Sequence, residues 1–182
     1  MLISLHCTVR FMFIKYIITP LFIFFMTQVP SAPLSAQVRS NSYNMMLRLL
    51  LSKSTATVTV EEARQQVGRA IFMDAREQAE YQVSHLKNAR YVGYDAFDIN
   101  SLLGIDKTQP IIVYCTVGKR SENISKKLQQ AGFTKVHNLY GGILEWVNQG
   151  LPVYDPAGNS TNKVHTYTKF WGKWLDKGER VY

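Results

Sequence analysis

Short apolar runs alternate with amphipathic stretches along most of the chain. Ile71-Phe72-Met73 closes on Asp74, and Ile111-Ile112-Val113-Tyr114 follows Pro110. Both have the pattern of strands buried on two faces of a parallel sheet. Val58 to Val60, Ala89 to Val92 and Val136 to Leu139 read as further short strands. Between them lie helical patterns. Residues 42 to 53 carry Met45, Met46, Leu49 and Leu50 on one side. Thr59 with Glu62 at the third position caps a helix from Glu61 to about Val67, before Gly68. A helical turn is predicted over Glu77 to Tyr81, and a short helix over Asp98 to Leu103 closed by Gly104. Lys119 to Ala131 turns Ile124, Leu128 and Ala131 inward, with Gly132 as a left-handed cap that lets Phe133 touch Leu128. Gly142 to Asn148 is the last helix of the series. This alternation predicts an α/β fold with a mainly parallel central sheet flanked by helices. Ligands of such sheets bind beyond the carboxyl ends of the strands.

The two ends of the chain have a different character. Arg10 and Lys15 precede an apolar run from Tyr16 to Met26, and Pro30, Ser31, Ala32, Pro33 and Leu34-Ser-Ala-Gln37 follow. This is the order of a cleavable signal peptide over residues 1 to 36, cut after Ala36, which predicts a secreted or periplasmic protein. The other reading, a retained membrane anchor, meets a run about half the length of a spanning helix and interrupted by Pro20. Residues 37 to 56 then form an N-terminal helix and linker, and residues 57 to 155 the main domain. Pro156 to Asn162 is a linker by composition. Beyond it Tyr167, Phe170, Trp171 and Trp174 recur at helical spacing, with Lys169, Lys173 and Lys177 on the remaining circumference. The expected element over 156 to 182 is therefore a linker and a C-terminal aromatic amphipathic helix, weakened by Gly172 and closed by Gly178. It folds back on the domain or makes a weak membrane-surface or protein contact.

A length of 182 residues with 46% hydrophobic composition suits one compact domain plus these extensions. The net charge of +8 does not describe the domain. Residues 58 to 155 hold eleven basic and eleven acidic side chains, so the excess lies on the flanks. Without a basic stripe, nucleic acid is not an expected partner. Two cysteines, Cys7 and Cys115, are too few for a disulfide framework. Loss of the leader removes Cys7 and leaves Cys115 as the sole thiol, which argues against a dithiol redox mechanism.

Cys115 stands where a buried strand turns through Thr116, Val117 and Gly118 into the helix beginning at Lys119. Loop N–H groups and the helix N-terminus converge there, and Lys119 and Arg120 add positive charge. These influences favour the thiolate, which is the nucleophile. A buried small hydrophobe is the plainer account of one cysteine, but Gly118 and Arg120 in this spacing point to a reactive thiol.

Cys115-Thr-Val-Gly-Lys-Arg-Ser121 resembles the active-site loop of rhodaneses, whose pattern is Cys-x-x-Gly-x-Arg-Ser/Thr. Asp74-Ala-Arg-Glu77, Glu80-Tyr81, His85-Leu86, Ala89, Gly141-Gly142 and Trp146 follow in the family's order, so the resemblance covers about residues 57 to 154. Ser84, Lys87 and Asn88 replace the Gly, Pro and Gly usual around His85. The resemblance implies a sulfurtransferase that moves a sulfane sulfur from a thiosulfate-like anion through a Cys115 persulfide to cyanide or a thiol. The loop from Thr116 to Ser121 would surround the transferred sulfur and the donor anion, with Arg120 binding that anion or shaping the loop and Lys119 tuning affinity. Asp74 and Arg76 are supporting residues, Asp74 as the partner of a loop arginine or as part of an ion pair holding the loop. His85 is structural. No cofactor is implied, since no metal-ligand spacing appears and Gly141-Gly142 fits a close strand–helix turn better than a phosphate loop.

Two other readings compete. Cys-loop phosphatases and arsenate reductases have five residues between Cys and Arg, and here four intervene, giving a ring better suited to one sulfur than to a tetrahedral phosphate. A non-catalytic rhodanese-like binding module or a persulfide carrier would use the same fold without free turnover.

Overall fold

The computed structural model describes residues 38–182, so the leader reading lies outside the described residues. Five parallel strands form the central sheet in the order β1-β5-β4-β2-β3. They are β1 (Thr57–Val58), β2 (Ile71–Asp74), β3 (Arg90–Tyr91), β4 (Ile111–Tyr114) and β5 (Val136–Leu139). The middle strand, β4, is buried at every position. That matches its uninterrupted apolar sequence, because a strand covered on both faces has no polar face to present.

Helices cover both faces of the sheet: α1 (Asn41–Leu50), α2 (Val60–Arg64), α3 (Gln78–Val83), α4 (Lys119–Gln130) and α5 (Gly142–Asn148). One core gathers Tyr43, Leu47, Phe72, Ile112, Tyr114, Leu139 and Ile143. The other, on the opposite face, gathers Met73, Ile111, Val113, Ile124, Leu128 and Phe133. The local signals act as expected. Thr59 and Glu62 exchange side-chain and backbone hydrogen bonds at the start of α2. Gly132, at φ 92°, ends α4 while Phe133 N–H returns to Leu128 O at 3.1 Å. Asn88 makes its turn at φ 58°, a left-handed conformation that asparagine tolerates. The short helix at 98 to 103 is a 3₁₀ turn, Ile99–Leu102, capped by Asp98.

Two expectations change. The buried side of α1 is Tyr43 and Leu47, whereas Met45 and Leu49 are exposed. Residues 42 to 50 carry apolar groups around most of the circumference, and Tyr43 wins the inward position because its hydroxyl also finds Gly141 O at 2.8 Å. The aromatic helix is the second. Ser160–Thr161 (β7) pairs with Val153–Tyr154 (β6), so part of the expected linker is a strand. Only one helical turn, α6 (Lys169–Gly172), forms between β8 (Lys163–His165) and β9 (Glu179–Val181), which pair in parallel. Gly172 ends the helix where it packs tightly; a Cβ there would lie 3.0 Å from Thr166 Oγ1 and from the Tyr182 hydroxyl. The segment folds back on the domain. Leu175 is buried, Trp174 stacks on Tyr43 at 5.3 Å, and Asn148 Nδ2 donates to Trp174 O at 2.8 Å. Among the described residues no helix is long and apolar enough to cross a membrane.

Candidate active site

Cys115 follows β4 directly, at the carboxyl edge of the sheet, and is 1% exposed. The next three residues must reverse direction before α4 begins. Gly118 makes this possible at φ 116°, a conformation that residues with a Cβ rarely adopt. Its N–H then points back and donates to Cys115 Sγ at 3.1 Å. The Ser121 hydroxyl, one turn into α4, lies 3.4 Å from Sγ and 2.7 Å from Asn138 Oδ1. Asn138 Oδ1 can only accept and takes the Ser121 proton, so the Gly118 N–H is the donor aimed at the sulfur, and such a donor stabilises negative charge on it.

The loop carbonyls are turned the other way. Ile143 N–H donates to Cys115 O at 2.9 Å and Leu144 N–H to Thr116 O at 3.3 Å, so the first turn of α5 takes up the acceptors. Gly142 allows that approach: a Cβ there would stand 2.4 Å from Cys115 O and 2.5 Å from Thr116 O. The Gly141-Gly142 pair is thus a docking turn for the loop. Asn138, in the middle of β5, adds a third tie through Nδ2 to Gly118 O at 2.9 Å. Nothing in the local sequence distinguished Asn138, which is buried, from His137 beside it, the one residue of β5 that is only partly buried.

Arg120 is not left free. Its guanidinium makes a two-pronged pair with Glu80, Nη1 to Oε2 at 2.6 Å and Nη2 to Oε1 at 2.7 Å, and Nη2 also reaches Thr116 Oγ1 at 2.8 Å. Thr116 Oγ1 in turn donates to Glu80 Oε1 at 2.8 Å. Of the two roles open to Arg120, this geometry is that of shaping the loop. Burial disfavours the charged guanidinium, but the Glu80 hydrogen bonds and the negative charges of Cys115 and Glu80 outweigh it and raise its pKa. Burial would likewise raise Glu80, yet Arg120 and Arg76 hold its carboxyl below the ordinary range. Glu80 is the residue whose importance the sequence understated.

Asp74 does not pair with a loop arginine. Its partner is Arg76, with Nη2 to Oδ2 at 2.6 Å and Nε to Oδ1 at 2.9 Å, both side chains fully buried. Arg76 also donates to Ser84 O at 2.6 Å. The pair holds the β2–α3 turn, and neither residue lines the cleft at Cys115. Loop arginine and strand-end aspartate are separated because Glu80, one turn into α3, is the nearer carboxylate. Lys119 Nζ stands 3.3 Å from Glu122 Oε2 and its side chain is half-exposed. His85 stacks on Tyr81 at 4.0 Å and exchanges backbone hydrogen bonds with Tyr154, which is a structural role.

The cleft above the sulfur has a volume of about 290 Å³. Its walls include Glu77, Asp95, Val117 and Lys119 and, from beyond the main domain, Tyr167 and Trp171. Among the described residues no group of His, Cys, Asp and Glu could hold a metal ion. The arrangement places a cysteine sulfur that accepts a backbone N–H at the edge of a cleft, and no histidine lines that cleft among the described residues.

Comparison with known proteins agrees with this geometry. Curated relatives include tRNA uridine(34) hydroxylases of Enterobacter sp. (strain 638), 38% identical over 93 residues, and Erwinia tasmaniensis, 37% identical over the same length. The match takes in 46% of this chain but only 27% of those proteins, so the chain spans about a quarter of the length of the relatives it matches. Among solved structures, a thiosulfate sulfurtransferase from Pseudomonas aeruginosa superposes with a TM-score of 0.53 at 22% identity, covering 71% of this chain and 25% of that one. The polysulfide-sulfur transferase of Wolinella succinogenes gives 0.51 at 20% identity, covering 64% and 89%. At these identities the likeness is one of fold. A family model for the rhodanese-like domain matches residues 59–149, which take in Cys115, its loop and the Glu80, Asn138 and Gly142 contacts that hold it, and the chain belongs to the rhodanese-like family.

Proposed function

We propose that this protein is a sulfurtransferase that carries a sulfane sulfur on Cys115. The observation that carries the reading is the Gly118 N–H bond to Cys115 Sγ at 3.1 Å, inside a loop whose arginine is already committed to Glu80. The Cys115 thiolate attacks the outer sulfur of a donor such as thiosulfate. The sulfur–sulfur bond of the donor breaks, sulfite leaves with the bonding pair, and a Cys115 persulfide remains. Cyanide or a thiolate then attacks the outer sulfur of that persulfide, and the bonding pair returns to Cys115 as thiolate. Sulfur is passed on without net oxidation, so neither a second cysteine nor a redox cofactor is needed. Loop donors that stabilise charge on the sulfur serve both half-reactions.

The same feature speaks against phosphate ester hydrolysis. A phosphatase needs its loop arginine to clasp the phosphate, and here Glu80 occupies both of its prongs. The tRNA reaction in the relatives' name has less support here, since residues 58 to 155 of this chain are charge-neutral and the shared part is 27% of those proteins.

The test is intact mass before and after thiosulfate, then after cyanide. A gain of about 32 Da that cyanide removes, absent in Cys115→Ser, is expected. No gain with any sulfane donor, together with hydrolysis of an aryl phosphate, overturns the reading. A stable gain without turnover would make the protein a carrier. The leader adds that this chemistry runs outside the cytoplasm; a mature N-terminus at Gln37 is the expected result of sequencing the exported protein.

A further inference from the structure

The cleft over Cys115 has a wall that the family match does not reach. Residues 163–182 lie beyond the matched 59–149, yet Tyr167 and Trp171 line the cleft together with Glu77, Tyr94 and Asp95. Tyr167 is held there by several independent ties. Its backbone is left-handed, at φ 66°, an uncommon state for an aromatic residue. Its N–H donates to His165 Nδ1 at 3.1 Å, and the preceding Thr166 is buried and bonded to Val181 O at 2.9 Å. Ser84 Oγ anchors the same segment through Lys163 O at 2.6 Å. The ring lies 4.7 Å from the Arg120 guanidinium on one side and remains 51% exposed.

Charge is the second observation. The two loop cations are already neutralised, Arg120 by Glu80 and Lys119 by Glu122. The carboxylates of Glu77 and Asp95 are additional. Glu77 Oε1 has no hydrogen-bond partner and stands 4.0 Å from Arg120 Nη1. The wall formed by Tyr167, Trp171, Glu77 and Asp95 is therefore aromatic and acidic and suits a cation, which aromatic faces and carboxylates both attract. An anionic donor such as thiosulfate meets the sulfur at the loop, where the Gly118 N–H and the start of α4 lie.

Building on the sulfurtransferase reading, we propose that Tyr167, Trp171, Glu77 and Asp95 form a selective site for the acceptor, a small organic thiol bearing a positive charge, that is, an aminothiol. The acceptor loses its thiol proton to solvent and its sulfur attacks the outer sulfur of the Cys115 persulfide. The bond from that sulfur to Cys115 breaks with its electron pair going to Cys115, and an organic persulfide departs. Tyr167 and Trp171 act as positioning residues for the body of the thiol, and the carboxylates favour its ammonium group.

The experiment discharges persulfide-loaded protein with cysteamine, 3-mercaptopropionate or cyanide, the thiols compared at equal thiolate concentration. The two thiols are of similar size and opposite charge. Cysteamine is expected to be about tenfold or more better in kcat/KM. Glu77→Gln combined with Asp95→Asn should narrow that preference. In Tyr167→Asn, which keeps a residue tolerant of the left-handed backbone, the cysteamine-to-cyanide ratio should fall about tenfold through KM. Equal discharge by the two thiols in the unaltered protein, or an unchanged ratio in Tyr167→Asn, overturns the proposal while leaving the persulfide cycle standing. Failure to load sulfur at all overturns both.

Discussion

Single residues around Cys115 are constrained by distance more than by chemistry. Gly142 has only a hydrogen where any side chain would meet two loop carbonyls within 2.5 Å, and its φ of 58° adds strain. Gly142→Ala should cost more than about 2 kcal/mol in denaturant unfolding and should disrupt persulfide formation, because relief requires moving the Cys115 carbonyl. The buried Asp74–Arg76 pair sets a second limit. Asp74→Asn leaves a guanidinium uncompensated in the interior, and a loss of about 3–5 kcal/mol in unfolding free energy is the expected outcome. Gly118 and the pair of glycines could be read from the chain because their backbones, at φ 116°, 81° and 58°, favour glycine, and Cys115 because it ends an apolar run just before such a turn. Asn138 could not. Its hydrogen bonds to Gly118 O and Ser121 exist only because β5 lies beside β4, and a polar residue in a strand carries no sign of its partner.

At the scale of elements, the sulfur loop is held between α3 and α5. The α5 N-terminus absorbs the loop carbonyls, and Glu80 of α3 absorbs Thr116 and Arg120. Glu80→Gln removes the charge opposite a half-buried arginine, so the rate of persulfide formation should drop at least about tenfold and thermal stability should fall. The pH dependence has a definite sign. The Glu80 carboxyl is held below its ordinary pKa in the folded protein, so below about pH 4.3 the unfolded chain binds the proton more readily than the folded one. This contribution to stability is complete above that pH and is lost as pH falls through the lower, folded value. Denaturation midpoints measured from pH 6 to pH 3 should decline in the unaltered protein, and the decline should be shallower in Glu80→Gln. Helix and strand positions were legible because burial in a parallel sheet imposes apolar runs and the caps impose Thr59, Glu62 and Gly132. The orientation of α1 was not, because the apolar positions run around most of the helix: Met46 and Leu50 pack beside Tyr43 and Leu47, while Met45 and Leu49 continue the apolar surface into solvent.

For the molecule as a whole, the C-terminal segment is part of the folded domain and part of its cleft. Leu175 is buried, Trp174 stacks on Tyr43, and Arg180 donates to Gly172 O at 2.7 Å and Leu175 O at 2.6 Å. Leu175→Ala should therefore destabilise the protein by about 2–5 kcal/mol, measured by chemical denaturation with tryptophan fluorescence as the signal. A single unfolding transition, without a separate early loss of the tail, is expected if the segment folds with the sheet. Its i, i+3, i+4, i+7 aromatic spacing predicts a longer helix than the one turn present. Short helices draw their stability from packing, and here the Gly172 contacts and the β8–β9 pairing dictate the backbone instead.

The order of elements, the parallel sheet, the cysteine at a strand end and the glycine-assisted turn after it all follow from the chain alone, because each depends on neighbours within a few residues or on a burial pattern repeated along the sequence. Tertiary structure alone decided which carboxylate takes Arg120, which asparagine ties down the loop, and which aromatic rings overlook the sulfur. Those contacts join positions 36 to 40 residues apart at Glu80, and reach from the Arg120 loop to the C-terminal segment at Tyr167. Their partners are chosen by where the sheet order places each strand end, and no local pattern records that choice.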